Sequence, residues 1–146
     1  MSAYPPFSTR IIGQTEKTLN AILDRELAGT GLTENQWVIL TLAVAGGGTA
    51  EHEQFARQVA GNLKISEAEA QARIAEMVAA QQLQTADEGT VVTVTGAARQ
   101  LHSRIRTTVA EITQRLWGDL PAEDLATAGR VLSIVTTRAN AELAGH

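Results

Sequence analysis

The chain has 146 residues, 44% of them hydrophobic and 3% aromatic, with twelve Lys and Arg against sixteen Asp and Glu for a formal net charge of −4. That length suits one domain with a buried core, and the absence of cysteine excludes disulfides, thiolate zinc sites and thiol nucleophiles. No apolar run approaches the ~18–20 residues of a membrane span and no signal-peptide pattern opens the chain, so a soluble, cytoplasmic protein without general affinity for polyanions or membranes is expected.

Pro5 and Pro6 make the start an extended arm. Over 8–27, Ile12, Leu19, Ile22, Leu23 and Leu27 fall on one helical face, with Thr15 filling its gap, and the Gly29 and Gly31 segment ends the helix. Thr33-Glu34-Asn35-Gln36 fits a capping box that opens a second helix, with Trp37, Leu40 and Val44 inward and Gly46-Gly47-Gly48 as its stop. A short helix over 51–60 ends at Gly61-Asn62, and Leu63-Lys64-Ile65 is a tight turn. A second capping box, Ser66-Glu67-Ala68-Glu69, starts a helix to about 82 that buries Ala70, Ile74, Met77 and Val78.

Two β-like runs, 83–86 and 91–94, join through Asp87-Glu88-Gly89 as a hairpin. Thr95 caps a long helix in which Ala98, Leu101, Ile105, Val109, Ile112 and Leu116 recur every three or four residues, up to Trp117-Gly118. Pro121 sits in the first turn of a last helix, with Glu123 and Asp124 complementing its dipole and a stripe of Leu125, Leu132, Val135, Ala139 and Leu143. The order predicts a mainly α chain, one domain over 1–146: a winged helix-turn-helix at about 33–95, with long helices at about 8–28 and 95–143. Long helices with more apolar stripe than a small domain can cover imply a homodimer.

Four segments in this order resemble the MarR family of dimeric transcriptional regulators. Leu32-Thr33-Glu34-Asn35-Gln36-Trp37-Val38-Ile39-Leu40 resembles the family's L-T-x-x-Q-(W/F)-x-x-L helix, and Phe55-Ala56-Arg57-Gln58-Val59-Ala60 follows it. Val92-Thr93-Val94-Thr95-Gly96-Ala97-Ala98-Arg99-Gln100-Leu101 is similar to its V-x-L-T-x-x-G-x-x-L, with Ala98 in place of the usual Gly, and Leu120-Pro121-Ala122-Glu123-Asp124-Leu125 looks like the start of its last helix. The resemblance covers roughly 9–143 and implies a dimer that binds double-stranded DNA, with a small-molecule crevice where the dimerisation helices meet the winged section.

Two departures bear on function. The family's wing carries a longer tip with an Asp-x-Arg motif, whereas Ala86-Asp87-Glu88-Gly89-Thr90 has no Arg or Lys. From 51 to 95 the only bases are Arg57, Lys64 and Arg73, against Glu51, Glu53, Glu67, Glu69, Glu76, Asp87 and Glu88. That difference equals the net charge of the whole chain. Affinity for duplex DNA comes largely from Lys and Arg displacing counterions, so carboxylates facing the backbone oppose it unless they point away or accept hydrogen bonds from cytosine amino groups. Glu67 and Glu69 also stabilise a helix N-terminus, which does not remove their field.

The candidate DNA contacts are Ser66, Gln71 and Arg73 on the recognition helix, Arg57, Gln58 and Lys64 towards phosphates, and Thr90 on the wing. The resemblance also implies a ligand site lined by Tyr4, Phe7, Arg10, Trp37, His102 and Arg106; Arg99, His102 and Arg106 share a helix face suited to an aromatic or anionic compound. No metal, cofactor or catalytic residue is expected: the three histidines form no HxxxH pair, there is no G-x-S-x-G elbow, and Gly46-Gly47-Gly48 lacks the Lys of a phosphate loop. The reading is a DNA-binding regulator of MarR type modulated by a small ligand. Its alternative is a MarR-like dimer that binds or transforms a small molecule without reading DNA.

Overall fold

The computed structural model describes residues 4–145. It divides into two compact units, one through Val109 and one from Ala110.

In the first unit, helix α1 (Thr9–Leu27) is capped by Ser8, whose hydroxyl accepts the Ile11 N–H at 3.3 Å. Leu27 is buried, and Ile12, Leu19, Ile22 and Leu23 are half-buried. Thr15 does not fill the gap in that face. It is exposed, and its hydroxyl donates to the Ile11 carbonyl at 2.7 Å, satisfied by its own helix.

Helix α2 (Glu34–Ala45) opens with both halves of the predicted capping box: Thr33 Oγ1 accepts the Gln36 N–H at 3.2 Å, and Gln36 Oε1 accepts the Thr33 N–H at 3.0 Å. It closes with the Gly48 N–H bonded to the Ala43 carbonyl and the Gly47 N–H to Val44, a Schellman arrangement in which Gly47 takes φ 93°.

Strand β1 (Thr49–Glu51) follows, an element the sequence did not announce. Its three residues alternate over too short a span to read; it exists because β3 offers a free edge. The next helix, α3 (His52–Leu63), runs through the expected stop at Gly61-Asn62. It ends instead at Lys64, left-handed at φ 59°, with the Ile65 N–H reaching back to Ala60 at 3.1 Å. Helix α4 (Glu67–Ala79) has the second predicted capping box but stops short of 82. There Gln81 takes φ 63°, and the Gln82 N–H closes on Met77 at 2.9 Å.

The hairpin strands β2 (Leu83–Ala86) and β3 (Val91–Val94) match their predicted bounds. The sheet order is β1-β3-β2, antiparallel throughout, with Thr49 opposite Thr93 and Leu83 opposite Val94. Val92 and Val94 of the central strand point into the core. That core joins Ile39, Leu40, Phe55, Ala56, Val59, Ala70, Ile74, Met77, Leu83 and Ile105, so the two helices of the helix-turn-helix and the sheet share one apolar cluster.

Helix α5 (Gly96–Trp117) begins at Thr95, whose hydroxyl accepts the Ala98 N–H at 3.2 Å and donates to the Gln81 carbonyl at 2.9 Å. Its stripe is buried at Ala98, Ile105 and Ile112. The second unit contains the end of α5 and helix α6 (Ala122–Ala144). Pro121 is the N-cap of α6, one residue ahead of the predicted first turn, because its fixed φ of −57° is paired with an extended ψ of 135°. No side chain of α6 is buried: Leu132, Ile134, Val135 and Leu143 are all exposed. Among the described residues no helix is long and apolar enough to cross a membrane.

Candidate nucleic-acid interface and the Trp37 cluster

The turn between α3 and α4 is built from the backbone up. Lys64 in the left-handed region ends one helix, and within two residues Ser66 caps the next. Inward, α4 presents Ala70, Ile74 and Met77 to the core. Outward it presents Glu67, Ala68, Gln71, Ala72 and Ala75, all exposed. A second helix held by a first helix and followed by a hairpin is the winged helix-turn-helix arrangement.

The predicted contacts are not equally available. Arg57, Gln58, Lys64 and Gln71 are exposed. Ser66 is exposed too, but its hydroxyl accepts the Glu69 N–H at 3.1 Å and donates to Glu69 Oε1 at 3.2 Å, so it is occupied by the cap. Arg73 is half-buried and pairs with Glu76 at 3.3 Å, and its Nε is buried without a partner among the described residues. The Thr90 hydroxyl donates to the Asp87 carbonyl at 2.7 Å and so closes the wing tip.

The wing tip is a tight acidic turn. Asp87, Glu88 and Gly89 take φ 51°, 58° and 87°, three successive left-handed residues in the four-residue loop between Ala86 and its partner Val91. The Gly89 N–H bonds the Ala86 carbonyl at 3.1 Å. His52, at the start of α3, holds the tip: its ring Nδ1 lies 3.0 Å from the Gly89 carbonyl, and its backbone N–H donates to Thr90 at 2.8 Å. The carbonyl can only accept, so Nδ1 carries the hydrogen, and Nε2 is buried without a described partner. The sequence offered no signal for this brace, because its partners lie 37 residues apart.

The second cluster joins α2 to α5. Trp37 stacks on His102 with ring centroids 4.7 Å apart and planes inclined by 21°. One turn along α2, Thr41 Oγ1 lies 3.2 Å from His102 Nε2. His102 is the buried polar side chain of this core, at 5% exposure. Burial lowers its pKa below the ordinary 6.5, and the charges of Arg106 and Arg99 lower it further. It therefore stays neutral near pH 7. Arg99 and Arg106 themselves are exposed, and the Arg99 guanidinium lies over the Gly48 backbone.

Arg10 lines a shallow depression on α1 with Thr9, Gly13, Gln14, Lys17 and Thr18. Tyr4 and Phe7 are exposed at 90% and 58%. A cavity of about 270 Å³ between α1 and α5 is lined by Glu26, Thr30, Leu101, Arg104, Ile105 and Thr108, none of them a predicted ligand residue. Among the described residues, no group of three or more His, Cys, Asp and Glu could hold a metal ion.

No family model matches the sequence, and no curated protein matches it. Solved structures do. AbsC, a MarR-family transcriptional regulator from Streptomyces coelicolor, is 16% identical with a TM-score of 0.73, over 94% of this chain and 99% of that one. A MarR protein from Peptoclostridium difficile is 14% identical with a TM-score of 0.74, over 97% of each chain. An organohalide-sensing transcriptional regulator in its 2,4-dichlorophenol-bound form is 11% identical with a TM-score of 0.74, over 94% of this chain and 89% of that one. The chain has the winged helix-turn-helix fold of the MarR-family transcriptional regulators.

Proposed function

We propose that the chain is a homodimeric, DNA-binding transcriptional regulator of MarR type, acting in the cytoplasm, whose DNA affinity is set by a small aromatic or anionic ligand. The observation that carries this reading is α4, the second helix of a helix-turn-helix, with an exposed, small-residue outer face beside a hairpin wing. Arg57, Gln58 and Lys64 serve phosphate contacts and Gln71 a base edge. The uncovered stripe of α6 serves the homodimer, and the winged section and long helices work together as one domain. The stacked Trp37 and His102, with Arg99 and Arg106 beside them, supply aromatic surface and positive charge for the ligand. The dichlorophenol carried by one structural neighbour supports the aromatic class. Ligand control works through the spacing of the two recognition helices, which sets their fit to successive major grooves.

The test is binding of the full chain to duplex DNA from its own promoter region across a salt series. Binding that weakens as salt rises is expected. If the three bases of each winged section alone serve, the log–log slope is no steeper than about −5. An absence of duplex binding even at low salt overturns the regulator reading and leaves the ligand-binding dimer in its place.

A further inference from the structure

The polar side chains of α4 divide into those already engaged and those that are not. Glu69 is held in the capping box, its carboxylate accepting from the Ser66 N–H at 3.3 Å and from the Ser66 hydroxyl at 3.2 Å. Arg73 and Glu76 are paired at 3.3 Å, on the same shoulder of the helix as Glu69. Glu67 and Gln71 stand one turn apart on the opposite shoulder, both exposed, with no side-chain bond to any described residue. Between the shoulders run Ala68, Ala72, Ala75 and Ala79, all exposed. They let the helix backbone approach a groove floor and can meet a thymine methyl.

The chemistry of the free shoulder is restrictive. A carboxylate accepts hydrogen bonds only. In a major groove it is best satisfied by the amino group of cytosine, less well by that of adenine, whose neighbouring N7 is an acceptor, and it is repelled by the O6 and N7 acceptors of guanine and the O4 of thymine. A glutamine amide, with one donor and one acceptor edge, matches adenine N6 and N7. Arginine to guanine, the commonest specific contact, would require Arg73 to leave Glu76 and bring its buried Nε out of the core side. The wing adds no compensating base, since its braced tip presents Asp87 and Glu88.

We propose that α4 reads duplex DNA through the uncommitted pair Glu67 and Gln71, Glu67 accepting a hydrogen bond from a cytosine amino group and Gln71 pairing with an adenine, with no arginine–guanine contact. This rests on the DNA-binding reading above and assigns it a base chemistry. Glu67 is then a specificity determinant: its charge costs affinity for every duplex, and one base offsets that cost.

Selection from a randomised duplex library by the full-length protein tests the assignment. The expected half-site contains a cytosine and a nearby adenine. Glu67→Gln lowers the cytosine preference by on the order of tenfold, Gln71→Ala does the same at the adenine, and Glu69→Gln, which preserves the capping box, leaves both unchanged. Thermal melts by circular dichroism confirm that each variant is folded. An unchanged cytosine preference in folded Glu67→Gln overturns the proposal, as does a guanine-led half-site that is lost in Arg73→Gln. A wild-type protein that binds no duplex at low salt instead overturns the DNA-binding reading beneath it, so the two failures are distinct.

Discussion

Trp37 stacks on the buried His102 between α2 and α5, and the imidazole is neutral there for three reasons. Burial is the first, followed by Arg106 and Arg99, and all three push its pKa below 6.5. The consequence for stability has a definite sign. In the unfolded chain the ring takes up a proton near its ordinary value, whereas in the folded chain it resists doing so. The unfolded state therefore binds more protons between the folded pKa and 6.5, and stability rises with pH across that window. The full contribution is present above 6.5 and is lost as pH falls towards the folded value. Thermal midpoints measured at intervals from pH 7.5 down to 5.5 should hold steady and then fall. In His102→Gln, which can still bond Thr41, the fall should be shallower. Equal slopes in the two proteins would mean that His102 is not the group responsible.

Helix ends separate what the sequence reveals from what it hides. Both capping boxes were legible because a hydroxyl and a Gln or Glu three residues later satisfy free N–H groups by local reach alone. The C-terminal ends of α3 and α4 were not, since each relies on a left-handed residue with a side chain, Lys64 and Gln81, where sequence reasoning looks for glycine. Gly61 lies inside α3, and core burial of Phe55, Ala56 and Val59 outweighs its roughly 1 kcal/mol helix penalty. The sites divide along the same line. The i, i+4 placement of His102 and Arg106 on one helix was readable, whereas the His52 brace, the Thr41 partner and the Arg73–Glu76 pairing depend on tertiary placement or rotamer choice.

Gly48 tests how α2 hands over to the sheet. It sits at φ 86°, accepts from the Val94 N–H at 2.9 Å, and lies beneath the guanidinium of the exposed Arg99 side chain, which a Cβ would displace. Gly48→Ala should destabilise the chain by about 1–2 kcal/mol through the backbone, with little added by the guanidinium, which can swing aside. Adding Arg99→Ala should therefore recover little of the loss. Urea unfolding of the two proteins gives both quantities, and a neutral Gly48→Ala would show that the turn tolerates a side chain.

At the scale of the whole molecule, the uncovered apolar side chains are concentrated late in the chain. Leu116, Trp117, Leu120, Leu132, Ile134, Val135 and Leu143 all stand exposed beyond Ala110, in a stretch whose last helix buries nothing. Scattered apolar side chains need no partner, but this many on one helical pair do. The spacing of Leu132, Val135, Ala139 and Leu143 places them on one face of α6. A second copy of the chain is the economical cover, because one twofold axis hides the same face twice. The protein should therefore sediment at twice its 15.5 kDa chain mass. Leu132→Asp with Val135→Asp places four charges in such an interface. At ~1.5 kcal/mol for each lost apolar burial, the pair should weaken association by roughly 6 kcal/mol, or about four orders of magnitude in Kd. The first unit has its own apolar core, so this variant should keep a cooperative melt while sedimenting as a monomer. Sedimentation velocity across protein concentration measures the change directly, and a double variant that remained dimeric would move the interface off this face of α6.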